Sequence, residues 1–516
     1  MEQATNTQQS QGASARELCI HIAKEMNDLV KHTLGPMGLD NMIVDPAKNC
    51  VITNDGATIF RETAIDHAVA KVIMHVARTQ EENCYDGTTT GIILTGELLN
   101  QAASLLKKKI HPTKIAIGYQ LAAQKVEEYL LEMGVEATDD MLNLVAQTAL
   151  TGKSAESDKE HLANICVDVS RSTTLDNINI VRRPGGRIAD SVAISGLLVS
   201  REKCHHDMPI TVEDPKIALI DVDISLPEFA EKLQVQVTDN DAVQQFIASR
   251  KEQLAEIANT IIASGANVVL CKRDIDSLIQ EILSQKGIFA ARRVYESDLE
   301  LVSKSTGGKI VSNIDNLTSE DLGTAGLLEE IQVNDKPLIK LTDTATNEAV
   351  SVLIRAPTQH VVDEIKRAFD DAIGVVSIAH EDGQVLPGGG APYMALATKL
   401  KEYAKTVGGR EQMAVEAFAT ALEVIPMTLA ENSGLDPLDA IIALRKAHTE
   451  ENGWQSGVNV EEGGCLNMLD SKVIEPKRVV AQAIRSATDT AAQLIRIEKI
   501  ITGKGSAEIG QDGFEF

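Results

Sequence analysis

Helical periodicity at both ends of the chain constrains this sequence more than any other feature. Near the start, apolar residues recur every three or four positions, as on the buried face of an amphipathic helix. One stripe comprises Ile115, Tyr119, Ala122, Val126 and Leu130. Pro112 precedes it at a position typical of a first helical turn. We predict that the first 135 residues are helical, and that helices span 410–424, 437–448 and 476–501 near the end.

The middle of the chain has a different texture. Apolar runs of strand length span residues 216–221 and 267–271, and the second is followed by a helical pattern and another strand pattern. This order predicts a β-α-β unit and hence an α/β domain. Glycine-rich turns at 184–186 (PGG) and 387–390 (PGGG) flank this section and are typical of hinges. The pattern favours an α/β domain inserted into a helical domain that both chain ends build.

The net charge argues against one broad class of partner. Lys and Arg number 49 against 75 Asp and Glu, which gives a net charge of −26 over 516 residues. This is the wrong sign for a surface that binds phosphate backbones, so we expect no nucleic acid partner. The acidity is typical of a soluble surface, and repulsion of acidic proteins captured in a cavity is a second interpretation.

The lack of a recognisable targeting signal and the pattern of the cysteines predict a cytoplasmic protein. Residues 1–15 lack the basic start and apolar block of a secretory signal, and we see no run of about 18 apolar residues that would span a membrane. The seven cysteines form no CxxC pair, which is typical of reduced thiols. The run 204–207 (CHHD) offers metal-ligating side chains, but neighbours in sequence point in different directions, so we expect no metal there.

Four segments contain glycine for close backbone approach, and the first three add hydroxyl or carboxylate side chains: 33–38 (TLGPMG), 54–59 (NDGATI), 86–90 (DGTTT) and 388–390 (GGG). In the third, Asp86 and Gly87 precede an apolar run, so a helix N-terminus there would present free amides to an anion. Asp86 would repel a phosphate unless a cation lay between them, which points to a magnesium ligand. A simple capped turn explains the same residues. No P-loop motif is present.

Six ordered motifs resemble those of the chaperonin family: LGPMG, NDGATI, DGTTT, LPGGGAP, SGVNV and KVIEPKRVVAQAIRSAT. The resemblance covers nearly the whole chain, and the middle section is similar to the group II type of archaeal thermosomes and the eukaryotic cytosolic chaperonin. It implies a multidomain α and α/β fold. The implied parts are a discontinuous all-α equatorial ATP-binding domain (1–137 and 392–516), an intermediate hinge domain (138–207 and 355–391) and an α/β apical substrate-binding domain (208–354).

The resemblance also implies a function. Group II chaperonins are ATP-dependent molecular chaperones that enclose unfolded protein clients in a double ring, which is homo- or hetero-oligomeric. A helical protrusion at about 223–251 would form a built-in lid, so no separate co-chaperonin lid is expected. The implied cofactors are ATP and Mg²⁺, with K⁺ as a further candidate.

Site residues carry over from the family motifs to this sequence. The implied catalytic residues are Asp371, which positions the attacking water, and Asp55, which lies near the phosphates. Asp86 is the implied magnesium ligand. The implied nucleotide-binding residues are Thr33, Leu34, Gly35, Pro36, Gly56, Gly87, Thr88, Thr89, Thr90, Lys153, Gly388, Gly389, Gly457, Asn459 and Asp470.

Three positions depart from the family pattern. Tyr85 stands where the family usually has glycine, Met37 where a basic residue is common, and Tyr393 where many relatives have an acidic residue. These departures favour a divergent subunit and leave a second function open, a non-hydrolysing structural subunit of a hetero-oligomeric ring. A metabolic ATP-using enzyme is a third alternative, but no acceptor-site motif supports it.

Client capture requires exposed apolar side chains, because apolar surface distinguishes unfolded proteins from native ones. The candidates in and beside the expected protrusion are Ile224, Leu226, Phe229, Val243 and Phe246. Packing within the protrusion explains the same residues equally well.

Overall fold

The computed structural model describes residues 8–44, 50–63, 65, 67–153, 155–226, 240–334, 336–346 and 349–502. The chain divides into two compact units. Unit 1 combines Met1–Lys159 with Asp370–Phe516, and unit 2 is Glu160–Phe369. An inserted middle section was expected from the sequence. The finer division into equatorial, intermediate and apical domains remains a prediction.

Helices dominate unit 1. Along the described residues the helices are α1 (Ala13–Val30), α2 (Gly56–Glu62), α3 (Ala68–Cys84), α4 (Thr88–Lys107), α5 (Pro112–Met133), α6 (Asp139–Leu150), α7 (Lys159–Ser172), α8 (Asn240–Ala263), α9 (Ser277–Gln285), α10 (Glu296–Thr306), α11 (Gln359–Asp382), α12 (Ala391–Ala404), α13 (Glu411–Leu422), α14 (Val424–Asn432), α15 (Pro437–Ala447) and α16 (Lys477–Ile495). The predicted stripe on α5 is buried along its length, and Pro112 opens that helix.

Among the described residues, the strands of seven or more residues lie in unit 2, and the other strands are shorter. They are β1 (Gln8–Gln11), β2 (Asn41–Val44), β3 (Cys50–Thr53), β4 (Val135–Glu136), β5 (Ile178–Pro184), β6 (Val192–Ser195), β7 (Leu197–Val199), β8 (Thr211–Glu213), β9 (Lys216–Ile220), β10 (Val268–Cys271), β11 (Phe289–Ala291), β12 (Ile310–Val311), β13 (Gly323–Val333), β14 (Lys336–Thr344), β15 (Val350–Ala356), β16 (Gln384–Pro387), β17 (Ser456–Val458), β18 (Cys465–Asn467), β19 (Ile474–Pro476) and β20 (Lys499–Thr502).

The core of unit 1 surrounds α4. This helix packs against α1, α3, α13 and α16, and its residues Ile92, Ile93 and Leu94 are fully buried. Beside it, the ring of Tyr119 meets Phe418 edge-on at 5.5 Å, and the Tyr119 hydroxyl donates to the carbonyl oxygen of Leu98 at 2.8 Å. Helices from both ends of the chain therefore share one hydrophobic core.

The all-α prediction for this part of the chain was too simple. Strands β2 and β3 pair as an antiparallel hairpin, β1 pairs with β20, and β16 lies between β4 and β19. Helix α16 also ends at Ile495, earlier than predicted, because β20 follows it. These small sheets tie distant parts of the sequence together at the edges of the helical core.

Unit 2 contains the predicted β-α-β unit. Strands β9, β10 and β11 are parallel neighbours, and α9 connects β10 to β11. The sheet continues through β13, β14 and β7, with β12 beside β9 and β8 beside β13. A separate sheet has the order β5-β15-β6. Helices α8 and α9 pack together, and residues of both belong to the hydrophobic core against β9 and β10.

Two of the candidate client-binding side chains lie in this core. Ile224 is fully buried and pairs with Ile275 in an isolated bridge, and Leu226 packs against the same cluster. The packing interpretation is therefore correct for Ile224. Phe229 and the side chains of Val243 and Phe246 lie outside the described residues.

One stretch of the described chain, Glu411–Asn432, is long and apolar enough to span a membrane by composition. From the sequence we expected no run of this kind. Of its most apolar window, 72% is buried inside the structure. It also contains Glu423, whose carboxylate accepts hydrogen bonds from Lys401 Nζ at 2.6 Å and Arg445 Nη2 at 2.6 Å. The stretch is thus packed as α13 and α14 of the unit 1 core.

Candidate functional site

The N-terminus of α4 forms the centre of the candidate site. Gly87 precedes the helix with φ 80, a left-handed conformation that glycine adopts without strain. Thr88, Thr89 and Thr90 form the first turn and are buried. The exposed Asp86 lies just before them, and its Oδ1 accepts a hydrogen bond from the Gly87 amide at 2.7 Å. A 20-residue helix therefore directs its positive end and free amides toward a carboxylate.

Asp55 lies beside this helix end. It caps α2, accepting hydrogen bonds from the amides of Ala57 (3.3 Å) and Thr58 (2.7 Å). The Thr88 hydroxyl donates to Asp55 Oδ1 at 3.1 Å. Gly56 allows this approach, since a Cβ there would come within 2.9 Å of the Thr89 hydroxyl oxygen. Two of the four segments identified in the sequence are thus in direct contact.

The turn that follows α1 forms a third part of the candidate site. Gly35 has φ 87, and the side-chain amide of Asn432 donates to the carbonyls of Lys31 (2.9 Å) and Leu34 (2.8 Å). Gly152 lies against Pro36, where a Cβ would approach Pro36 Cα to 3.1 Å. The predicted residues Thr33, Leu34, Gly35 and Pro36 therefore form one turn packed against the loop that carries Lys153. Met37 is half-exposed in this turn.

Lys153 and Asp371 form an ion pair, with Lys153 Nζ 2.7 Å from Asp371 Oδ2. Burial raises the pKa of Asp371 to about 6, although Lys153 lowers it, and the nearby Asp55 and Asp86 raise it further. Burial disfavours the charged form of Lys153, but the carboxylates of Asp371, Asp86 and Asp55 outweigh this and raise its pKa. Three carboxylates thus act electrostatically on one ammonium group, and Asp371 is in direct contact with it.

Two further polar residues of this cluster were not predicted as site residues. Glu475 lies on β19 opposite Leu386 of β16, and burial followed by the charge of Asp86 raises its pKa to about 8. Tyr393 is buried on α12, and burial together with Glu475 and Asp86 raises its pKa well above the usual range. A lone glutamate between two apolar residues, Ile474 and Pro476, was the signal in the sequence.

The second group of predicted residues surrounds a glycine-rich backbone contact. Val458 donates its amide to the carbonyl of Gly389 at 3.0 Å, and a Cβ on Gly457 would come within 2.9 Å of the carbonyl oxygens of Gly388 and Gly389. Asn459 Oδ1 accepts hydrogen bonds from the amides of its own turn at 3.2 and 3.3 Å. Asp470 is exposed, and its amide donates to Asn467 at 3.4 Å.

The cluster of carboxylates suits a hard divalent cation. Asp55, Asp86 and Asp371 offer oxygen atoms, the ligands that magnesium prefers, and Lys153 is the one cation that directly bonds any of the three within the described chain. A bound magnesium ion would offset this negative charge and polarise an anionic substrate. Asp86 is the residue most suited to hold it, because it is exposed beside the helix N-terminus.

A smaller cluster occurs in unit 2. The ligand atoms of His205, His206 and Asp207 lie within 4.8 Å of one another, so these neighbours do converge, contrary to the expectation from sequence. His206 and Asp207 are exposed. The cluster has no other His, Cys, Asp or Glu ligand among the described residues.

Comparisons with known proteins agree with the resemblance in the motifs. Residues 26–505 match the model of the TCP-1/cpn60 chaperonin family. The chain belongs to this family. It is 42% identical to the thermosome subunit beta of Methanothermobacter thermautotrophicus over 97% of this chain and 94% of that one. It is 43% identical to the thermosome subunit of Methanopyrus kandleri over 96% and 93%, respectively.

A solved structure agrees as well. The chain is similar to an open-state monomer of a group II chaperonin from Methanococcoides burtonii, with 40% identity and a TM-score of 0.65 over 80% of this chain and all of that one. The chain is therefore a group II chaperonin subunit with the chaperonin fold. The predicted function, folding of proteins inside a double-ring chamber with a built-in lid, is that of this family.

Proposed function

We propose that this chaperonin subunit binds ATP with magnesium at the N-terminus of α4 and hydrolyses it to drive the folding cycle. The observation that carries the proposal is the Lys153–Asp371 ion pair beside Asp55 and Asp86. An ionised carboxylate near a phosphate-binding helix end is what orientation of a nucleophilic water requires.

Each residue has a distinct role in this proposal. The amides of Thr88, Thr89 and Thr90 and the hydroxyls of Thr89 and Thr90 bind phosphate oxygens, because the helix N-terminus offers unpaired donors, whereas the Thr88 hydroxyl already donates to Asp55. Magnesium, when bound, would offset the negative charges of the phosphates and of the neighbouring carboxylates. Asp371 accepts a hydrogen bond from water and aligns it for attack on the γ-phosphate. Lys153 holds Asp371 and favours its ionised form.

The remaining predicted residues complete the site. The turn of Thr33, Leu34, Gly35 and Pro36, together with Gly56 and Gly87, contributes backbone contacts to the phosphates. Gly388, Gly389 and Gly457, with Asn459 and Asp470, form the pocket for base and ribose. Of these, Asp470 has the weakest support. It is exposed, and its backbone amide bonds to Asn467 in its own turn and not to Gly389. K⁺ remains a further candidate cofactor.

The wider setting follows from the family. We propose a cytoplasmic protein that captures unfolded clients and assembles into a homo- or hetero-oligomeric double ring, without a separate co-chaperonin lid, membrane or nucleic acid. The three-domain division given above is part of this proposal.

Phosphate release from magnesium ATP tests the proposal directly. The wild type should turn over, Asp371→Ala should not, and both should still bind nucleotide. Glu364→Ala is the matched control, since it removes a carboxylate two turns earlier on the same helix and should leave turnover intact. Nucleotide binding without release by the wild type would instead support the non-hydrolysing structural subunit.

A further inference from the structure

Tyr85 has an unusual backbone conformation. It ends α3 with φ 57 and ψ 0, in the left-handed region that is unfavourable for every residue except glycine. Such a residue persists only where its surroundings hold it in place. The contacts of the Tyr85 ring therefore indicate why a bulky side chain occupies this turn.

The ring lies on the backbone of α11 at Gly374. A Cβ on Gly374 would come within 2.6 Å of Cγ, Cδ1 and Cδ2 of Tyr85, so no larger residue leaves room for the ring. The ring also packs against a buried cluster of Cys84, Ile378 and Val479. Glycine is a poor helix former. A tyrosine in a left-handed turn and a glycine inside a helix are both unfavourable alone, and this contact accounts for both.

The contact lies one helical turn from Asp371. Asp371, Gly374 and Ile378 stand at positions i, i+3 and i+7 of α11 and so share one face. At its other end, Tyr85 directly precedes Asp86 and the N-terminus of α4. The ring therefore connects the loop of Asp86 to the helix face that carries Asp371.

Other bonds fix the two ends of this connection to α16. Gln80 is fully buried, and its Nε2 donates to the carbonyls of Asp86 (2.9 Å) and Val479 (3.0 Å). At the end of α11, Arg478 Nε donates to Asp382 Oδ2 at 2.7 Å. With the loop and α11 both bonded to the first turn of α16, the Tyr85 ring sets the separation between them.

We propose that Tyr85 is a positioning residue, whose ring on Gly374 fixes the distance from the Asp86 loop to Asp371. The inference rests on the proposed ATP hydrolysis. Displacement of a reacting group by about 1 Å can reduce a rate by about 100-fold. Removal of the ring therefore affects the chemical step more than it affects the binding of nucleotide.

Steady-state phosphate release from magnesium ATP by Tyr85→Gly and Tyr85→Phe tests this role. Glycine adopts φ 57 without strain, so Tyr85→Gly removes the ring and keeps the loop. We expect its kcat to fall at least about tenfold while the KM for ATP stays within about twofold, and we expect Tyr85→Phe to keep both. A wild-type kcat in Tyr85→Gly overturns the proposal.

Gly374→Ala provides a second, independent variant. In the presence of Tyr85 the added methyl group displaces the ring, so we expect a loss of kcat similar to that of Tyr85→Gly. In the Tyr85→Gly background the methyl group has room, and we expect no further loss. A loss in the double variant equal to the product of the two single losses contradicts a shared contact.

Hydrogen exchange without nucleotide separates this inference from the proposed hydrolysis. Amides from 371 to 378 should exchange faster in Tyr85→Gly than in the wild type and at the wild-type rate in Tyr85→Phe. If the wild type releases no phosphate, the proposed hydrolysis fails while the exchange result still stands for the contact. Unchanged exchange in Tyr85→Gly overturns the positioning of α11 by the ring.

Discussion

Replacement of Lys153 by methionine should raise the pH below which ATP turnover is lost, which we call the acidic limit. Burial raises the pKa of Asp371 to about 6, and Lys153 is the group that lowers it most. In the proposed mechanism the ionised carboxylate orients water, so turnover in the wild type should be lost as the pH falls through about 6. At pH 7 about nine-tenths of Asp371 is ionised.

The size of the shift follows from the ion pair. An adjacent opposite charge lowers a carboxyl pKa by about 1 to 3 units. The Asp371 side chain is 38% exposed, so water screens the pair and the lower part of that range applies. In Lys153→Met the acidic limit of turnover should therefore lie at a pH about 1 to 2 higher than in the wild type. Turnover at pH 7 should fall roughly two- to tenfold for this reason alone, and this part of the loss should be recovered by pH 9.

The assay is the initial rate of phosphate release at saturating magnesium ATP between pH 5.5 and 9. Lys159→Met is the matched control, because Lys159 Nζ lies 3.3 Å from the Thr151 hydroxyl in the same loop and does not bond Asp371. Its acidic limit should stay at about 6. The reasoning is refuted if the limit of Lys153→Met does not move, or if its loss of rate is equal at every pH.

Three further substitutions probe unit 1, the first two by urea unfolding followed by the fluorescence of Trp454, the single tryptophan, which packs against the core. Tyr119→Phe should lower the free energy of unfolding by about 1 kcal/mol, the usual net worth of one hydrogen bond; no loss would mean that the hydroxyl contributes nothing. Glu423→Ala should cost about 2–3 kcal/mol, below the full value for a buried pair because its two cationic partners still contact water, and an unchanged urea midpoint would contradict this. Gly35→Ala should weaken ATP binding about fivefold, because φ 87 disfavours a Cβ, which would also overlap Leu429; isothermal titration with wild-type affinity would exclude strain at this turn.

Elements with strong local patterns could be predicted from the sequence. The stripe of α5 is one example, because burial of one helix face leaves a helical period in the sequence. The strands β9 and β10 are another, because burial on both faces leaves a continuous apolar run. The hairpin of β2 and β3 was missed, since Met42 and Val44 are exposed on a short strand and leave no apolar alternation.

The family motifs predicted the site residues, but not how those residues contact one another. The proximity of Glu475 to Asp86 depends on the pairing of β19 with β16, about 90 positions earlier in the sequence, which no local pattern encodes. The seat of the Tyr85 ring is a similar case. From the sequence alone, a glycine inside a helix indicates only a less stable helix. Its role becomes clear once the Tyr85 ring that needs the space is known.

The discontinuity of unit 1 has a consequence for synthesis on the ribosome. Helix α4 and its buried residues emerge early, but their partners α13 and α16 lie within Asp370–Phe516. At about 5 to 20 residues per second, those last 147 residues (370 to 516) take roughly 7 to 30 s to translate after unit 2 is complete. During that interval the nascent chain exposes the apolar face of α4, so a subunit that folds other proteins is itself exposed to aggregation while it is being made.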